Sequence, residues 1–228
     1  MVGLDELRAR WPADLRAAGA PGARDALGGE AAVADAFDEL VTRHAEAVRR
    51  YHTLDHVAAV LRHVDELLAE DTELDERTRG AIALAAWWHD AVYDPTRGDN
   101  EARSADRAAA VLGALGIRPA GVTEVARLIA LTAHHDVRPE DRAGAVLVDA
   151  DLAILGAPWP VYERYARGVR EEYGHVPDDL FRTSRTLVLD GLAAHPRLYF
   201  TDAFHDRYEA AARANLRREQ AELAAGEP

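Results

Sequence analysis

Apolar residues recur at three- and four-residue intervals along nearly the whole chain, and long strand-like alternations are absent. Ala, Leu, Arg and Glu dominate these periodic stretches, and all four are good helix formers. The pattern predicts helices near 4–17, 30–49, 54–70, 76–92, 99–116, 120–135, 141–155, 158–173, 178–194 and 201–224. Punctuation falls between them at Pro21-Gly22, Gly28-Gly29, Asp94-Pro95, Gly98, Gly116 with Pro119, Pro139, Gly156 to Pro160, Gly174 with Pro177, and Pro196. Thr53 is placed to cap the helix that follows it. Residues 1–29 are the least periodic, and 224–228 read as a frayed tail. The expectation is an all-α single domain spanning 1–228, built from eight to ten helices, with no internal repeat.

Composition narrows the chemistry. The chain has no cysteine, which removes thiolate nucleophiles, disulfides and sulfur-ligated metals. All 27 basic residues are arginine, so Schiff-base lysines and a phosphate-binding loop lysine are excluded as well. Only Ser104 and Ser184 could serve as serine nucleophiles, and neither lies in a G-x-S-x-G turn. What remains is metal-activated water or general acid–base chemistry. A net charge of −13 argues against a nucleic-acid duplex or an anionic membrane as partner. No apolar run approaches the roughly 18 residues of a membrane span. The acid-containing stretch Met1 to Arg10 does not read as a signal peptide, so the expected location is cytoplasmic.

Against that background one pair stands out. His89 and Asp90 close the strongly apolar stretch from Ala81 to Trp88. Imidazole and carboxylate beside a buried helix are first-row metal ligands, and the chain offers partners for them. His52 and His56 lie in Y-H-T-L-D-H, His134 and His135 in L-T-A-H-H, and Asp149 and Asp151 in an otherwise apolar helix. Helical bundles build metal sites in this way, from inward side chains on several helices. Three neutral histidines and two carboxylates around a divalent ion sum to zero charge, which makes burial tolerable.

The ordered set resembles the HD-domain superfamily of metal-dependent phosphohydrolases, and within it a bacterial subgroup of predicted HD-superfamily phosphohydrolases. The resemblance runs over about residues 45–218. It is carried by R-Y-H-T-L-D-H (50–56), W-W-H-D-A-V-Y-D-P (87–95), D-N-E-A-R-S-A (99–105), L-T-A-H-H (131–135), D-A-D-L-A-I-L-G (149–156), R-E-E-Y (170–173) and A-R-A-N-L (212–216). It implies a single HD-domain-like helical bundle whose metal ligands are His56, His89, Asp90 and Asp151. Asp149 sits two residues earlier, so on a helix it points about 200° away from Asp151, and Asp151 is the preferred ligand. Superfamily members with two metals draw extra histidines from separated positions. His134 and His135 are adjacent, which favours one ion per chain.

The implied activity is hydrolysis of a phosphoester, a nucleotide or another small phosphorylated molecule, by metal-activated water. The ion expected is Mn, Fe, Co, Ni or Zn, which suit a histidine-rich site. Catalytic candidates are Asp90, His135, His52 and Glu101. Substrate-contact candidates are His134, Tyr93, Arg170 and Arg182, with Arg185 beside them. The bland readings are a turn-orienting role for His52, a helix-start acid for Glu101 and surface ion pairs for the arginines. His44, His63, His175, His195 and His205 read as solvated, and Trp87, Trp88, Leu152 and Ile154 as core. Two other functions fit the same ligands: a di-iron HD-type oxygenase, and a non-catalytic helical module with a structural or sensory metal.

Overall fold

The computed structural model describes residues 3–19 and 29–226. Among them it is all-helical: α1 (Leu4–Ala17), α2 (Gly29–His44), α3 (Leu54–Glu70), α4 (Glu76–Trp88), α5 (Asn100–Ala114), α6 (Pro119–Leu131), α7 (Arg142–Leu152), α8 (Trp159–Glu172), α9 (Asp178–Ala194) and α10 (Asp202–Ala225). A 3₁₀ turn, Ala153–Gly156, continues α7. The expected break at Pro21-Gly22 and the last two residues of the expected tail lie outside the described residues.

α4 is the organising element. Every residue from Gly80 to Trp88 is buried, as expected of a helix that is apolar all round. Its start is fixed by Asp75, whose carboxylate accepts the Thr78 N–H. α1, α3, α6 and α7 pack around it. Gly80 permits the approach of α1, because a Cβ there would lie 2.1 Å from the Ala18 backbone nitrogen. Trp87 meets Trp11 edge-on at 5.6 Å between ring centroids, and Phe37 at 6.0 Å. One cluster of buried apolar residues runs from Leu7 to Leu223.

Four helices stop at least three residues earlier than their periodicity predicts, and three of these differences shape the site. α2 ends at His44 rather than 49, although neither glycine nor proline stands there. The cause is tertiary. The Arg49 guanidinium is withdrawn from solvent and donates to the carbonyls of His52, Asp90 and Ala91. α4 ends at Trp88, so His89 is its last, capping residue and Asp90 lies in the turn beyond. α6 ends at Leu131, which moves His134 and His135 off the helix. α7 itself stops at Leu152, where the chain tightens into the 3₁₀ turn.

Residues of α5 hold the loop after Asp90. Asn100 exchanges two hydrogen bonds with the Asp94 backbone, and the Ser104 hydroxyl meets both backbone groups of Val92. Thr53 precedes α3 as predicted, but its side chain makes no capping bond. No single helix is long and apolar enough to cross a membrane among the described residues.

Candidate metal centre

α3 brings His56, the end of α4 brings His89 and Asp90, and the end of α7 brings Asp151. His56, His89 and Asp151 converge, and Asp90 stands against the two histidines. His56 Nε2 and His89 Nε2 are 3.0 Å apart. Asp90 Oδ2 stands 3.1 Å from His89 Nε2 and 3.5 Å from His56 Nε2. Asp151 Oδ1 stands 3.2 Å from His56 Nε2 and 3.5 Å from His89 Nε2. Metal–ligand bonds of about 2.0–2.2 Å at angles near 90–110° separate neighbouring donor atoms by about 3.0–3.5 Å. The five distances fall in that interval. Two imidazole nitrogens facing each other have no reason to approach so closely unless a proton or a cation lies between them. His56, His89 and Asp151 thus form a group that could hold a metal ion, their donor atoms all within 4.8 Å of one another.

The surroundings support that donor set. His89 Nδ1 lies 3.0 Å from the Ala86 carbonyl. A carbonyl only accepts, so Nδ1 carries the proton and Nε2 is left with its lone pair toward the cluster. The Tyr51 ring packs on His56 at 4.8 Å. Burial opposes charge on His89, but Asp90 and Asp151 outweigh it and push its pKa well above the ordinary value. For Asp90 and Asp151, burial acts upward, yet His89 and the neighbouring histidines hold both below the usual carboxylate range. The pocket therefore demands positive charge, from an imidazolium or from a cation.

Asp149 is excluded from the cluster, as the helical offset predicts. Its Oδ1 accepts the Phe200 N–H at 2.7 Å, and its Oδ2 accepts the Thr201 N–H at 2.7 Å and the Thr201 hydroxyl at 2.6 Å. It anchors the start of α10. Burial pushes its pKa up to about 6, with those donors limiting the rise.

A second layer is built around a residue that sequence reasoning left without a role. Glu172, at the end of α8, is buried. Its Oε1 accepts the backbone N–H groups of Arg50, Tyr51 and His52 at 2.7, 2.8 and 2.9 Å. Its Oε2 accepts the Tyr93 hydroxyl at 2.8 Å and lies 2.6 Å from His52 Nδ1. Three converging amides form an anion nest that fixes this carboxylate. Burial acts against it, but His52 lowers its pKa to about 2. The His52 pKa is raised in turn, as Asp90 and Glu172 overcome burial. The only sequence signal for Glu172 was its place in R-E-E-Y.

His135 stands at the edge, with Nε2 3.5 Å from Asp151 Oδ2. It has φ 54°, a left-handed conformation that a non-glycine residue adopts at a cost of about 1–2 kcal/mol. Its N–H caps α6 on the Leu131 carbonyl. Such strain is characteristic of functional positions.

Two clefts meet at the cluster, and Tyr51, Asp151, Ile154 and Tyr165 line both. The first, about 410 Å³, is lined by His52, His89, Asp90, Glu101, His134 and His135. The second, about 470 Å³, lies on the His56 side.

Other expectations need correction. Tyr93 stacks on His52 at 4.5 Å and lines neither cleft, so it clamps the histidine rather than a substrate. Arg170 donates to the Tyr173 and Val176 carbonyls and pairs with Asp178, and Arg182 lines neither cleft. Arg185 reaches the first cleft but is bound to Glu219 at 2.7 Å, beside the Tyr162 hydroxyl on the same carboxylate. His44 is buried, not solvated. Its Nδ1–H donates to the Leu40 carbonyl, and burial lowers its pKa to about 3.

Set beside known protein families, curated proteins and solved structures, the chain matches none of them.

Proposed function

We propose that this chain is a metal-dependent phosphohydrolase acting on a small phosphoester, with His56, His89, Asp90 and Asp151 holding one divalent transition metal. The observation that carries the reading is the set of five donor-atom distances between 3.0 and 3.5 Å, lying at the junction of two clefts. Asp90 and Asp151 keep about one-seventh of their side-chain surface exposed, so the cluster has an open side. An open side separates a catalytic metal site from a closed structural one. When bound, such an ion supplies Lewis acidity, acidifying water and polarising a phosphoryl oxygen.

The chain's own groups supply the rest. Asp90, held ionised, accepts the proton of the attacking water. His52 is fixed with Nδ1–H on Glu172, which leaves Nε2 as the ring atom free for the first cleft. Its raised pKa keeps a positive charge available for the phosphate. His135 and His134 border the space where a phosphate would sit, and Glu101 closes the same cleft. Stripping the protein with chelator and restoring single metals, with a phosphoester library as substrate, tests the reading. Turnover should appear only with a restored transition metal. No turnover with any ion would overturn it.

One observation favours a second reading. Asp151 directs one oxygen to His56 and His89 and the other to His135, the disposition of a carboxylate shared by two ions. A di-iron oxygenase would need two ions per chain and would consume dioxygen. One ion per chain excludes it.

A further inference from the structure

The geometry points to the second cleft as the seat of a second oxyanion on the substrate: a phosphoester whose organic part carries a further phosphate or carboxylate. This rests on the phosphohydrolase reading and names the substrate class of that site.

Three features of the cleft support it. The first is charge. Its buried end is formed by His56 and Asp151, and its exposed end carries Arg50, Arg62 and Arg164. Outside the metal cluster its only carboxylate among the described residues is Asp55. Among the described residues Arg62 and Arg164 form no ion pair. Arg62 approaches only the His63 ring, at 3.1 Å, and Arg164 donates only to the Pro160 carbonyl, at 2.8 Å. Arg50 lies 3.5 Å from Glu171 with half its side chain exposed. In a chain of net charge −13, guanidinium groups left without carboxylates around one cleft make a local field that attracts an anion.

The second feature is the wall. Val60, Ile154, Pro158 and Val161 face the cleft, with the rings of Tyr165 and Tyr208 beside them. Tyr208 is seated there because Gly156 has no Cβ, which would otherwise lie 2.5 Å from Tyr208 Cβ. An apolar and aromatic surface between the cluster and the arginines suits the body of an organic leaving group.

The third is contrast. The first cleft has one arginine, Arg185, already neutralised by Glu219, and it carries Asp90 and Glu101. It has no unpaired arginine to hold a second anion. A substrate would therefore place its scissile phosphate at the cluster and its remaining anion in the second cleft.

The test compares phenyl phosphate with 1,4-phenylene bisphosphate and with 4-carboxyphenyl phosphate, in the wild type and in an R62Q/R164Q variant whose melting temperature shows that it folds. With metal restored, the wild type should show a KM at least about tenfold lower for one of the esters with a second anionic group than for phenyl phosphate. Which ester is preferred distinguishes phosphate from carboxylate. The double variant should lose that preference. In parallel, calorimetry on chelated protein should show the preferred ester binding at least about tenfold more weakly to the variant. Equal KM values for all three esters, with turnover intact, overturn this proposal and leave the phosphohydrolase standing. Arginine-dependent binding to chelated protein, with no turnover under any metal, overturns the phosphohydrolase and keeps the anion cleft. Binding that ignores both arginines overturns the inference.

Discussion

Asp149 and Asp151 stand two residues apart on one helix, both shielded from solvent, and they do opposite things. Asp149 faces the start of α10, where two backbone N–H groups and a hydroxyl satisfy it. Asp151 faces His56, His89 and His135. Burial raises the pKa of Asp149 to about 6, whereas the histidines hold Asp151 below its ordinary range against the same burial. A buried acid surrounded by fixed donors is a structural joint. A buried acid surrounded by imidazoles needs a balancing positive charge, from an imidazolium or from a cation. Burial alone does not separate the two, but the partners do.

The contrast can be broken most forcefully at Asp149. Asp149→Ala leaves three donors without an acceptor, each worth about 1–3 kcal/mol when stranded. Urea unfolding should show a loss of about 3 kcal/mol or more, while the folded fraction still binds metal. Asp149 also has a pH signature. Its proton is held more tightly in the folded chain than in the unfolded one, so stability falls as pH rises from about 4 to about 6. Asp149→Asn should remove that slope.

Asp151→Ala should give the converse. Metal affinity should fall by at least about 100-fold, on the order of 2.8 kcal/mol by the conversion of tenfold to 1.4 kcal/mol. The unfolding free energy of the chelated protein should fall less than in Asp149→Ala, since no backbone donor is stranded. An equal loss of stability in both variants would erase the distinction.

Glu172→Gln should fall between these extremes, because Glu172 is both joint and tuner. It organises the turn before α3 and holds the His52 proton. A stability loss of about 1–3 kcal/mol is expected, together with a shift of the pH–rate profile that Asp149 variants do not produce. With the Glu172 pKa lowered to about 2, its contribution is present above about 4.5 and is lost as pH falls toward 2. Acid titration of wild type against Glu172→Gln measures this.

The smallest effect should have opposite signs in its two readouts. His135→Gly relieves a left-handed backbone and should stabilise the chain by about 1 kcal/mol. Turnover should nonetheless fall, because the imidazole at the edge of the cluster is gone.

Much of this was legible in the sequence, because the signals were local. The 3.6-residue period placed all ten helices, and the 200° offset on α7 separated Asp151 from Asp149. The helix ends were misread wherever a long-range contact overrode the local pattern. Arg49 and Glu172 hold residues 49–52 in the turn before α3, and neither side chain advertises a partner more than 40 residues away. The solvated reading of His44 fails because the fold, rather than the local sequence, buries it. Arg170 has the charge a phosphate contact needs, but charge alone does not reveal its pairing with Asp178.

The most direct test of the central claim is a metal titration of three chelated proteins, the wild type, Asp149→Asn and Asp151→Asn, read by calorimetry and elemental analysis. One ion per chain is predicted for the wild type and for Asp149→Asn, with none retained by Asp151→Asn. Equal binding by Asp151→Asn, or no binding by the wild type, would contradict a metal centre at His56, His89, Asp90 and Asp151.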